Sequence, residues 1–248
     1  MQWLSLAGML LGFGAIWVGH VLEGGTASGL LNLPAAIIVL GGSFAAVIIQ
    51  TPMAVFRSAM IRTFWLFFPP RHSRETLLEN LCEWASAARR TGFIGLESLA
   101  AVERSLLARK GLSLLADGQP PHAIRSALEL DMYKQEDAGL QAAHVYDSLG
   151  GYAPTIGIIG AVLGLMQALT LLEKPDEIGT GIATAFIATV YGLAFANLVC
   201  LPLGQRIKHL VREEYLYNEL TIEGLVAIAE GEHPLSLRYR YENLRRGE

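Results

Sequence analysis

Charge is scarce in this chain. Asp, Glu, Lys and Arg make up 17% of its 248 residues, where an ordinary soluble domain carries roughly 25%. Four stretches, 3–22, 31–50, 153–172 and 180–203, contain no charged residue at all, and each has about the 20 residues needed to cross a bilayer. A basic surface is missing too. The net charge of -4 excludes nucleic acid as a partner, because phosphate binding needs clustered Lys and Arg. Cysteine is nearly absent. Cys82, expected in the cytoplasm, and Cys200, expected inside a membrane helix, support neither a disulfide nor a metal site. The six histidines are scattered without ligand spacing, and no nucleophile–base cluster is visible. An enzyme is therefore the class the sequence supports least. Strand-like alternation is also lacking, so the expected fold is all-α.

What remains is grease and glycine: 52% of residues are hydrophobic, 26 are Gly, and the mean hydropathy is +0.38. The expected architecture is a polytopic membrane protein with four transmembrane helices and a helical cytoplasmic domain. Residues 1–52 hold spans one and two. No Lys or Arg precedes the first run and no small-residue cleavage pattern is clear near Gly24, which argues against a signal peptide. Trp3 and Trp17 suit interfacial anchors. Pro34 falls in the first turn of span two, where a missing amide donor costs little, and Pro52 ends that run.

Residues 53–150 form the cytoplasmic helical domain. Its first piece, 53–68, sets Arg57 and Arg62 among Phe56, Phe64, Trp65, Phe67 and Phe68, which suits a helix lying in the headgroup layer or, alternatively, a core helix of the soluble part. Ser73 is a cap for a helix whose Leu77, Leu81, Trp84 and Ala88 recur at helical spacing. A further helix is expected over 96–110. From Ala123 the helical pattern runs on into span three. Residues 151–204 hold spans three and four, and 205–248 a cytoplasmic helix and tail. The connectors after spans one and three hold only Lys174 between them, whereas the middle region and the tail hold nearly all other Lys and Arg. The positive-inside rule places both of those regions, and both termini, in the cytoplasm.

Spans three and four carry small residues every three or four positions: Gly157, Ala161, Gly164 and Ala168, then Gly181, Ala185, Ala188, Gly192 and Ala196. Such stripes let membrane helices approach closely. They fit ordinary packing within one bundle, or a smooth surface for a helix of another chain. Ion-driven machines need an ionisable group at mid-membrane, and the spans offer only Ser43, Thr155, Gln167, Thr184, Thr189, Asn197 and His20. If this chain moves ions, a partner brings the carboxylate. Thr189 is placed to meet it, although a hydroxyl there also bonds to its own helix backbone. Pro154 and Pro202, at the cytoplasmic ends of the two spans, are either plain kinks or flex points that couple the membrane to the cytoplasmic domain.

At these residues the sequence resembles the MotA/PomA family of bacterial flagellar stator subunits, within the MotA/TolQ/ExbB superfamily. Segment 153–164 follows the family's third-span motif, 189–194 with Pro202 its fourth-span motif, and Val39 to Gly42 fits the second span. The resemblance implies an inner-membrane motor unit. Five copies would surround two copies of a MotB-like peptidoglycan-binding partner, whose aspartate carries the ion. It implies that Pro154 and Pro202 are coupling prolines and that Thr189 faces the partner's aspartate. It also implies that Arg89, Arg90 and Glu97, with Asp131 more weakly, engage the rotor switch protein FliG. Membrane lipids and further copies of the chain are the other expected contacts, and no cofactor is expected.

Sodium-type members tend to carry threonine seven residues after the first proline. Ala161 stands there, and a methyl group offers no oxygen to a hard cation, so protons are the expected coupling ion and sodium is disfavoured. An energiser of the ExbB/TolQ type is the alternative. It usually has three spans and lacks the pattern from Arg89 to Glu97, so the first 50 residues argue against it. A solute transporter would show inverted repeats and broken helices, and neither is visible.

Overall fold

The computed structural model describes residues 2–64, 73–173 and 175–239. The aromatic end of the 53–68 segment, Lys174 and the arginines beyond Tyr239 lie outside these, as does the side chain of Trp3. No strand occurs among the described residues, so the all-α expectation holds. The chain divides into two compact units, Met1–Pro69 with Gly139–His209, and Pro70–Ala138 with Leu210–Glu248.

The first unit holds the apolar runs. Helix α1 covers Gln2–Leu22. After a 3-10 turn, α2 (Leu33–Ala36), a π-helical stretch (Ile37–Gly41) and α3 (Gly42–Gln50) follow one another without a break. Asn32 caps α2, accepting from the Ala35 amide at 3.0 Å, and Pro34 sits in the first turn as its chemistry favours. Helix α4 is Met53–Thr63, with Pro52 at its N-cap. Two long helices continue into the second unit: α8, Pro121–Thr170, and α10, Leu201–Ala229. Between them lie α9 (Pro175–Ala194) and a second π-helical stretch, Phe195–Cys200.

Among the described residues, three helical stretches are long and apolar enough to cross a membrane: Leu33–Gln50, Pro121–Thr170 and Ile178–Ala229; Ala7–Leu22 is a shorter apolar one. Only 22%, 33% and 22% of the apolar windows in the three are buried. Most of their apolar surface therefore needs lipid or another protein against it. Packing inside the unit is tight where small residues allow it. A Cβ on Gly12 would lie 2.8 Å from Leu198, and one on Gly42 would lie 2.8 Å from Ile156.

The second unit has a conventional core. Helix α5, Arg74–Thr91, starts at Ser73, whose hydroxyl accepts from the Thr76 amide at 3.3 Å, and buries Leu77, Leu81, Trp84 and Ala85. The expected helix over 96–110 is instead two, α6 (Leu96–Val102) and α7 (Leu106–Ala116). The break is chemical: the Glu103 carboxylate accepts the Ser105 amide at 2.8 Å, and the Ser105 hydroxyl caps α7. Leu112, Leu115, Ile124, Leu128 and Leu225 complete the same core. Arg125 of α8 grips Glu223 of α10 with two hydrogen bonds, 2.5 and 3.1 Å. Helix α10 ends at Ala229, and Gly231 just beyond it, whose φ of +80° suits glycine, lets the Glu232 amide reach back to Ala227 O at 2.9 Å.

Candidate functional site in the small-residue hairpin

Helices α8 and α9 touch backbone to backbone. A Cβ on Gly157 would lie 3.0 Å from Ala188 O and 3.5 Å from Thr189 Cα. One on Gly164 would lie 2.7 Å from Ala185 N, and one on Gly181 would lie 2.8 Å from Ala168 N. One on Gly192 would lie 2.5 Å from Ala153 O. Gly157, Gly164 and Ala168 of one stripe are therefore buried against Gly181, Ala185, Ala188 and Gly192 of the other. Of the two uses they suggest, packing within one chain is the one these contacts display.

Ala161 and Thr189 flank this seam, both half-buried. Ala161 lies one turn beyond Gly157, the residue packed on Thr189. The Thr189 hydroxyl donates to Ala185 O at 3.3 Å, a long bond that leaves its lone pairs able to accept. Neither residue offers a charge, and among the described residues no group of three or more His, Cys, Asp or Glu is placed to hold a metal ion.

Pro154 lies inside α8 and Pro202 is the second residue of α10, so neither ends its helix. Each removes one backbone donor. Before Pro202 the chain is π-helical, and the Leu201 amide donates to Ala196 O, five residues back. Such stretches relax the hydrogen-bond ladder and recur at functional sites. The two prolines are staggered along the helices: Ala153, beside Pro154, packs on Gly192, ten residues before Pro202. A Cβ on Gly150, four residues before Pro154, would lie 2.7 Å from Leu201, the residue before Pro202.

A polar cluster outside the expected set pins the start of α2 to α9. The Asn32 amide side chain donates to Thr184 Oγ1 at 2.9 Å. Its backbone N–H donates to the Tyr191 hydroxyl at 3.1 Å, and that hydroxyl donates to Leu30 O. Below it Ala35 and Val39 pack on Ala188. The cap at Asn32 is visible in sequence as an Asn before a proline-initiated helix. Its partners, more than 150 positions away, are not.

The charged residues assigned to rotor contact fall in the second unit. Arg89 and Arg90 occupy the last turn of α5 and Glu97 the first turn of α6, all exposed. Each charge complements its helix dipole. Gly92, at φ +72°, makes the corner between them. Arg89 also donates to Gly231 O at 3.4 Å, which ties the corner to the end of α10. Asp131 belongs to a different contact, an ion pair with Lys110 of α7 at 2.6 Å.

Comparison with known proteins agrees with this geometry. Residues 100–219 match the profile of the MotA/TolQ/ExbB proton channel family. Motility protein A of Bacillus subtilis is 34% identical over 236 residues, covering 94% of this chain and 87% of that one. The solved structure of the C. jejuni MotAB complex superposes with a TM-score of 0.90 at 28% identity, covering 98% of this chain and 95% of that one. The flagellar MotAB stator complex of Bacillus subtilis gives 0.84 at 31% identity, covering 98% of both chains.

Proposed function

The chain belongs to the MotA/PomA family of flagellar stator subunits, within the MotA/TolQ/ExbB proton channel family, and from that premise we infer how its parts serve the motor. It is a stator subunit that forms a proton channel with a MotB-like partner and converts ion flow into torque on the rotor. The carrying observation is an asymmetry of chemistry. The charge-free runs 153–172 and 180–203 are sealed against each other by backbone contact, so the group that loads the ion comes from the partner's helix. The partner's peptidoglycan-binding part anchors it, and five copies of this chain turn around two of the partner.

On this reading α1 is a fourth span, both termini lie on one side of the inner membrane, and the Lys and Arg bias of 53–150 and 205–248 makes that side the cytoplasm. Thr189 accepts a hydrogen bond from the partner's carboxyl group or from a water beside it. Pro154 and Pro202 let the paired spans bend as the ion binds and leaves. Arg89, Arg90 and Glu97 present charge to the rotor switch protein FliG, and Asp131 is a weaker contact. Protons drive the cycle, since Ala161 supplies no oxygen for sodium.

The test is complementation of a strain lacking its stators, using this chain with a partner that has one membrane helix and a peptidoglycan-binding domain. Motility is expected, and the pair Thr189→Ile and Pro154→Leu is expected to abolish it. Motility surviving both substitutions would refute the roles given to these residues. Swimming that needs sodium and ignores a proton uncoupler would refute proton drive.

A further inference from the structure

We propose that Asp147 and Lys208 form a positioning contact that locks the cytoplasmic ends of spans three and four together, so that Pro154 and Pro202 move as one body. The proposal rests on the stator reading above. Asp147 Oδ2 lies 2.6 Å from Lys208 Nζ, with the two side chains 25% and 31% exposed. The same oxygen lies 3.3 Å from His144 Nδ1. Asp147 stands about two helical turns before Pro154, and Lys208 six residues after Pro202.

The backbone makes room for this pair. A Cβ on Gly204 would lie 2.9 Å from Asp147 Oδ1 and 3.4 Å from Ala143 O, so glycine there admits the carboxylate between the helices. One turn toward the spans, Gly150 packs on Leu201. The neighbouring Tyr146 hydroxyl bonds Thr63 of α4, which joins a third helix to the same level. Helices bend where proline interrupts the ladder. Two helices that each contain such a point deliver a shared displacement only if they are tied beyond it, and this ion pair is a tie at that place. Its partial shielding keeps it less screened by salt than an exposed pair.

The experiment uses the full chain with its partner in a stator-deleted strain. Asp147→Asn, Lys208→Gln, Asp147→Glu and the exchange Asp147→Lys with Lys208→Asp are compared by membrane-recovered complex, proton influx and stall torque. The two neutralised variants are expected to keep complex and influx and to lose stall torque. Asp147→Glu and the exchange are expected to recover it. Full torque in the neutralised variants overturns the proposal. So does loss of complex and influx along with torque, or an exchange that recovers nothing. A wild-type chain that powers no motor overturns the stator reading and the proposal with it; failure of the variants to behave as stated beside a working wild type overturns the proposal alone.

Discussion

Replacing Gly192 by alanine adds one methyl group at the tightest point of the hairpin. Its Cβ would lie 2.5 Å from Ala153 O, 3.2 Å from Ala153 C and 3.2 Å from Gly157 Cα. All three neighbours are backbone, so no rotamer change relieves the clash. Ordinary contact begins near 3.4 Å, and close-packed interiors yield little, so α8 and α9 must part by roughly 1 Å. Overpacking of this kind costs about 1–3 kcal/mol, and the separation would spread along the seam to Gly157 and Thr189. Gly151→Ala is the control: it lies in the same helix pair with nothing within 4 Å of its Cβ. The assay is thermal unfolding of the purified complex in detergent, paired with swimming speed. Gly192→Ala should melt earlier and swim poorly, while Gly151→Ala matches the wild type. Equal melting and swimming for Gly192→Ala would refute the backbone-contact reasoning.

Asn32→Ala and Tyr191→Phe each remove hydrogen bonds from a half-buried network and should each destabilise the complex by about 0.5–1.5 kcal/mol; because they share one network, the double variant should lose less than the sum, which thermal melts would show. Leu81, fully buried against Gly224, should cost about 2–5 kcal/mol as Leu81→Ala, read from melts of the complex. Burial raises the Cys82 thiol above its ordinary range, with Arg238 opposing. The folded chain then holds that proton to higher pH than the unfolded one. The resulting stability is complete below the unfolded thiol's pKa and fades as pH climbs through the folded value. Alkylation of Cys82 at pH 8 should accordingly be slow until the chain is unfolded, and rapid native labelling would contradict the burial.

Helices bounded by local chemistry are legible in the sequence. Ser73 announces α5, and the helical pattern from Ala123 points toward span three, although only the structure joins the two as one helix through Pro154. The break at Glu103 to Ser105 is also local, a serine two residues after an acid whose carboxylate takes its amide, but the surrounding leucines mask it. The small-residue spacing on spans three and four showed that a close helix contact exists. It did not show which helix takes it, because the same stripe serves an internal neighbour or a foreign one. The Asn32 cluster and the Asp147–Lys208 pair were invisible for a related reason: each joins residues far apart in sequence, and pairing across a bundle depends on helix rotation that periodicity alone does not fix. The π-helical stretches at Ile37–Gly41 and Phe195–Cys200 left only indirect marks, a Gly pair at the end of one and a proline after the other.

In the proposed function this chain walls an ion path whose proton-binding acid is carried by another polypeptide. Proton flux into liposomes measures it directly, with the purified chain reconstituted alone and then with its single-span partner. No flux above the lipid background is expected for the chain alone, and flux is expected once the partner is present and its channel open. Proton conduction by the chain alone would contradict it.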